Sequence, residues 1–161
     1  MSMQDLEKAF KILNQSSERK YISGPKSEEL IRLAEKALGL KFPPTYRLFL
    51  HKYGCGGVRG LEIYGLTKEY SNDFNNLGSP NGIWLTLDER KDDYLPHHFI
   101  IISDTGDGYW YCLDASQPND EGEYSVVVWG LDMAEKDKEK VAEDFGEFLL
   151  NELKQRLDIE E

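Results

Sequence analysis

Between two apolar runs, FIIIS (99–103) and YWYCLD (109–114), the chain reads Asp104-Thr105-Gly106-Asp107-Gly108. Carboxylates, a hydroxyl and glycines at this spacing fit three roles. Asp-Thr-Gly carries the catalytic carboxylate of aspartic proteases. That chemistry needs two aspartates about 3 Å apart that share one proton. The tripeptide occurs once, so only a homodimer would supply the pair. Ser103 stands where that motif has an apolar residue, and Asp107 stands where it has a small one. A further carboxylate there would disturb the shared proton. A calcium loop needs oxygen ligands at its first, third and fifth positions and a Glu at the twelfth. Counted from Asp104, these positions hold Gly106, Gly108 and Ala115. The third role is a hairpin turn, for which Asp-Gly between strand-like runs is the expected chemistry. The spacing predicts that turn, with Asp104 and Asp107 as surface groups.

The other reactive side chains lack companions. His97 and His98 are adjacent and point to opposite sides of a strand, and His51 lies in a helix with no acid near it in sequence. Cys55 and Cys112 form no CxxC pair, and neither has a visible base or cation beside it. There is no nucleophile elbow and no glycine-rich loop leading into a helix. These patterns give no catalytic residue, no metal ligand and no cofactor. The aromatic set Tyr109, Trp110, Tyr111 and Trp129 is more informative. On a strand, Tyr109 and Tyr111 share one face and Trp110 takes the other. One face packs into the core. The other would present rings beside Asp104, Asp107 and Asp114, as protein interfaces do, unless helices cover both.

These residues need a scaffold, and hydrophobic periodicity supplies one. Leu6, Ala9, Phe10 and Leu13 predict a helix over 5–14. A polar loop follows, then Ser27 as the N-cap of a helix bearing Leu30, Ile31, Ala34 and Leu38, closed by Gly39. A third helix starts at Pro43-Pro44, carries Tyr46, Phe49, Leu50 and Tyr53, and stops at Gly54. LEIYGL (61–66) reads as a strand, 71–82 as a long loop, and 83–94 as a segment with helical spacing. Strands are predicted at 99–103, 109–114 and 124–129. A closing helix is predicted over 134–157, with Val141, Phe145, Phe148, Leu149, Leu153 and Leu157 on one face. The expected fold is α+β, one domain over 1–161, with a central antiparallel sheet of about four to six strands.

Composition limits the partners. The chain has 161 residues and a net charge of −11. Residues 1–60 carry eleven Lys/Arg against six Asp/Glu, whereas residues 92–135 carry ten Asp/Glu and no Lys or Arg. That acidic block repels phosphate, which argues against nucleic acid, and it suits a basic protein. No run of 18 apolar residues is present, and MSMQDLEKAFKIL lacks the layout of a signal peptide, so a cytosolic, membrane-free protein is expected.

Two longer stretches resemble a known family. LKFPPTYRLFLHKYGCGG (40–57) is similar to L-P-x-x-Y-x-x-F-L-x-x-x-G-G, the helix-to-loop signature of the SUKH superfamily. LPHHFIIISDTGDGYWYCLD (95–114) is similar to its second block, L-P-x-x-x-I-x-I-x-x-x-G-D-G-x-x-x-x-x-D, and YSVVVWG (124–130) fits the strand that follows. One departure is Pro44-Thr45, where the family has a single Pro and then an acidic residue. The superfamily includes a yeast regulator of cell-wall synthesis and many bacterial immunity proteins. The resemblance implies a non-enzymatic binding fold. It also implies a cognate protein toxin, often a nuclease with a basic cleft and, in Bacillus, an LXG delivery domain. The family brings no catalytic residues to carry over, so the expected contact residues come from this sequence: Glu62, Tyr64, Asp104, Asp107, Tyr109, Tyr111, Asp114, Asp120, Glu121 and Glu123. A monomer is expected. An adaptor in cell-wall or stress signalling remains the alternative, and a hydrolase is a further one.

Overall fold

The computed structural model describes residues 2–67, 74, 81–91 and 94–159. Most of the long loop expected over 71–82 lies outside the described residues. The order of elements is α1 (Ser2–Gln15), β1 (Lys20–Ile22), α2 (Glu28–Leu38), α3 (Pro44–Lys52), β2 (Gly56–Val58), β3 (Leu61–Ile63), α4 (Gly82–Arg90), β4 (Phe99–Asp104), β5 (Trp110–Asp114), β6 (Ser125–Trp129), β7 (Glu139–Ala142) and α5 (Phe145–Arg156). The fold is α+β.

The helices form where periodicity and caps coincide. Leu6, Ala9, Phe10 and Leu13 of α1 are buried, as are Leu30, Ile31, Ala34 and Leu38 of α2. Ser27 Oγ accepts from Leu30 N at 3.1 Å, and Gly39 closes α2 in the left-handed conformation at φ 71°. The 83–94 segment is helical over Gly82–Arg90. Asn81 caps it, its Oδ1 accepting from Ile83 N and Trp84 N.

The strands form two antiparallel sheets, β1-β2-β3 and β4-β5-β6-β7. They meet where Tyr64 N donates to Ile102 O at 2.8 Å and Ser103 Oγ donates to Glu62 O at 2.6 Å. Both faces of the four-stranded sheet carry buried apolar residues. Ile100, Ile102, Leu113 and Val126 join the main core with the helices, and Tyr111 packs against it. Phe99, Ile101, Cys112, Val127 and Trp129 form a second core with Tyr64, Leu85 and Leu95.

The C-terminal expectation is corrected. Residues 134–157 are not one helix. Residues 135–137 make a 3₁₀ turn, 139–142 pair with β6, and α5 starts at Phe145. The register passes from Val126↔Ala142 to Val127↔Lys140, so Val141 is a bulge and stands half-exposed instead of on the helix face. Asp144 sets the helix start: its Oδ1 accepts from Glu147 N at 2.8 Å, and Glu147 Oε1 accepts from Glu143 N at 3.0 Å. The polar loop after α1 likewise holds strand β1, paired with β2 in the register Lys20↔Val58.

Candidate functional site

The segment 104–108 is the predicted hairpin turn. Asp104 Oδ1 accepts from Gly106 N at 2.6 Å. Thr105 Oγ1 donates to Asp107 Oδ1 and accepts from Tyr109 N at 3.2 Å. Thr105 N donates to Tyr109 O and closes the loop. Gly106 and Gly108 have φ of 93° and 100°, conformations that side chains with a Cβ rarely adopt. Both carboxylates are exposed.

This turn forms one end of an open cavity of about 530 Å³, lined by Thr105, Asp107, Tyr109, Tyr111, Val128, Met133 and Glu139. The register explains the assembly. Tyr111 pairs with Val128 and Val128 with Glu139, so the three side chains form a row across β5, β6 and β7 on one face. Tyr111 leans on Phe148 of α5, with ring centroids 4.9 Å apart. Tyr109 lies over Gly130, where an added Cβ would come within 2.4 Å of Tyr109 Cδ1, and its hydroxyl donates to Asp132 Oδ2 at 3.2 Å. The Asp132 carboxylate, through that hydrogen bond and its charge, holds the Tyr109 hydroxyl above its ordinary range. The lining holds two carboxylates and no base.

The structure therefore brings together Asp107, Tyr109 and Tyr111 from the expected set. Asp104 is adjacent, but pairs with Trp110 and so belongs to the other face of the sheet. Glu62 lines a different cavity, beside Arg19, Lys20 and Arg59. Asp120 and Glu121 are exposed, but they lie beyond Asp114, at the opposite end of β5 from Tyr109. Five strand residues separate the two ends by roughly 13 Å.

Three expected contact residues are corrected to the interior. Tyr64 is 7% exposed and sits in the second core; burial, with Asp104 and Glu62 nearby, pushes its hydroxyl up to about 12. Asp114 is 5% exposed, and its Oδ2 accepts from Lys138 Nζ at 2.6 Å. Glu123 is 1% exposed and accepts from Thr45. The aromatic set divides between the faces as strand alternation predicts, and both faces are covered: Trp110 and Trp129 pack on the second core and Tyr111 on the main one.

Sequence reasoning missed Val128, Met133 and Glu139 as cavity residues, and Gly130 and Asp132 as supports for Tyr109. Of these, Glu139 falls within the helix expected over 134–157, and Gly130, Asp132 and Met133 lie between β6 and that helix. The signal for a helix start at 144 was present in Asp144-x-x-Glu147.

The other reactive groups have structural roles. His51 Nε2 lies 2.6 Å from Glu28 Oε2, and Glu28 also pairs with Arg47 at 2.7 Å. The hydrogen bond from Arg47, then that from His51, holds the Glu28 carboxyl down at about 2. Cys55 and Cys112 are buried free thiols, and burial pushes both up, away from the reactive thiolate. Among the described residues no group of three His, Cys, Asp or Glu side chains could hold a metal ion, and no helix is long and apolar enough to cross a membrane.

A family model described as SUKH_5, SMI1-KNR4 cell-wall, matches residues 6–154. The chain belongs to this family.

Proposed function

We propose that the protein is an immunity protein that binds and neutralises a cognate toxin inside the cell that makes both. Family membership over residues 6–154 is the observation that carries this reading. It favours a protein partner and a binding role over chemistry. The toxin we propose carries an LXG delivery domain and a nuclease domain whose basic cleft holds phosphate. The end of the sheet with Asp107, Tyr109, Tyr111 and Glu139 has the right sign to meet such a cleft, and complementary charge speeds association.

The test is co-expression. The gene beside this one is expected to encode the toxin, and this protein is expected to restore growth to cells expressing it. Absence of a toxin-like neighbour, together with no protection against candidate toxins, would overturn the reading.

A further inference from the structure

We propose that the cavity between Tyr109 and Tyr111 receives one arginine side chain of the partner, its guanidinium stacked on Tyr109 and hydrogen-bonded to Asp107 and Glu139. The inference rests on the immunity reading only in taking the partner to be a protein.

Three observations support it. The first is charge: Asp107 and Glu139 line the cavity and no Lys or Arg does, so a cation entering it meets two acceptors. The second is the Tyr109 ring, which is held before any partner arrives. Gly130 leaves room beneath it, where any Cβ would collide at 2.4 Å, and Asp132 accepts from its hydroxyl. A ring fixed at both its face and its tip loses little freedom on binding. The third is the neighbouring ring of the lining, where Tyr111 is braced by Phe148 and flanked by Val128 on the sheet. An aromatic platform with carboxylates at its margin matches the planar, weakly hydrated, five-donor guanidinium better than the compact ammonium of lysine.

The test needs no toxin. A blocked pentapeptide with one arginine between glycines is titrated into the ¹⁵N-labelled protein. Matched peptides carrying lysine or neutral citrulline are titrated in parallel. We expect saturable shifts centred on Asp107, Tyr109, Tyr111 and Glu139. Lysine should bind roughly two- to tenfold more weakly, the worth of one hydrogen bond that its compact ammonium does not make, and citrulline should give no saturation. Gly130→Ala should displace the ring and weaken arginine binding. Asp132→Asn, which leaves the backbone untouched, should do so to a smaller extent. An equal response to citrulline, or shifts spread evenly over all acidic loops, would overturn the pocket. Co-expression separates the two readings. Protection that survives Tyr109→Leu combined with Asp107→Asn would overturn the pocket and leave immunity standing. Arginine binding without any protection would overturn immunity and leave the pocket standing.

Discussion

Glu123, in the turn between β5 and β6, caps a helix 78 residues before it. Its Oε2 accepts from Thr45 N at 2.9 Å and its Oε1 accepts from Thr45 Oγ1 at 2.7 Å. Helix α3 begins at Pro44 after Pro43, which offers no side-chain cap. A carboxylate from elsewhere in the chain satisfies the free Thr45 N–H of the first turn and sits at the positive end of the helix dipole. Thr45 stands where the family pattern has an acidic residue, so here the acid arrives from across the fold.

Glu123→Ala is therefore expected to destabilise the fold by about 1–3 kcal/mol, because it leaves the buried Thr45 donors without an acceptor. Urea denaturation measures the loss. The affinity of the folded fraction for the partner should not change. Unchanged stability with weakened binding would return Glu123 to the surface.

The Asp114–Lys138 pair sets a pH dependence. Burial alone would raise the Asp114 carboxyl, but the hydrogen bonds from Lys138 and Ser116 outweigh it and hold it below its ordinary range. A carboxyl lowered by folding adds stability above its unfolded pKa of about 3.9, and that stability is lost as pH falls through the lower folded value. Asp114→Asn is expected to cost about 1–3 kcal/mol near neutral pH. The gap between wild type and variant should close below about pH 4. Thermal denaturation across that range checks it, and a gap that widens in acid would refute the assignment.

Joint change of Asp104 and Asp107 to Asn should leave the fold intact, shifting stability by less than about 0.5 kcal/mol. Asn can accept from Gly106 N as Asp104 does. A loss above about 2 kcal/mol, read from thermal melts, would mean that the turn carries a buried network.

Salt should act on association with the toxin domain. The Debye length falls from about 30 Å at 0.01 M salt to about 8 Å at 0.15 M, so a steered encounter slows while dissociation changes much less. Reversing charge at Asp107 and Glu139 should slow association more than reversing it at Asp120 and Glu121, which lie at the other end of β5. Truncating Tyr109 should mainly speed dissociation, as a desolvated anchor does. Stopped-flow kinetics at several salt concentrations would show this, and a flat association rate would remove charge from the account.

Local pattern was enough for α1, α2, α3 and the 104–108 hairpin, because each is set by neighbours in sequence: apolar spacing, a cap such as Ser27, or glycines at positive φ. The strands β4, β5 and β6 were also legible from their β-branched and aromatic runs. The sequence could not show that β1 is a strand. It has three residues, and only its pairing with β2 makes it one. Nor could it show β7. There Val141 keeps helical spacing with Phe145, while a bulge turns it outward and pairing to β6 decides the conformation. The same limit governed the site. Acidity marked ten carboxylates in one block as alike, yet Asp114 and Glu123 are interior because Lys138 and Thr45 meet them there. Asp107 and Glu139 share a cavity because the β5–β6–β7 register brings the turn before β5 to the same cavity as β7. A charge in sequence has a sign but no surroundings. Burial and partners come from contacts distant along the chain, and these are fixed only when the sheet closes on its helices.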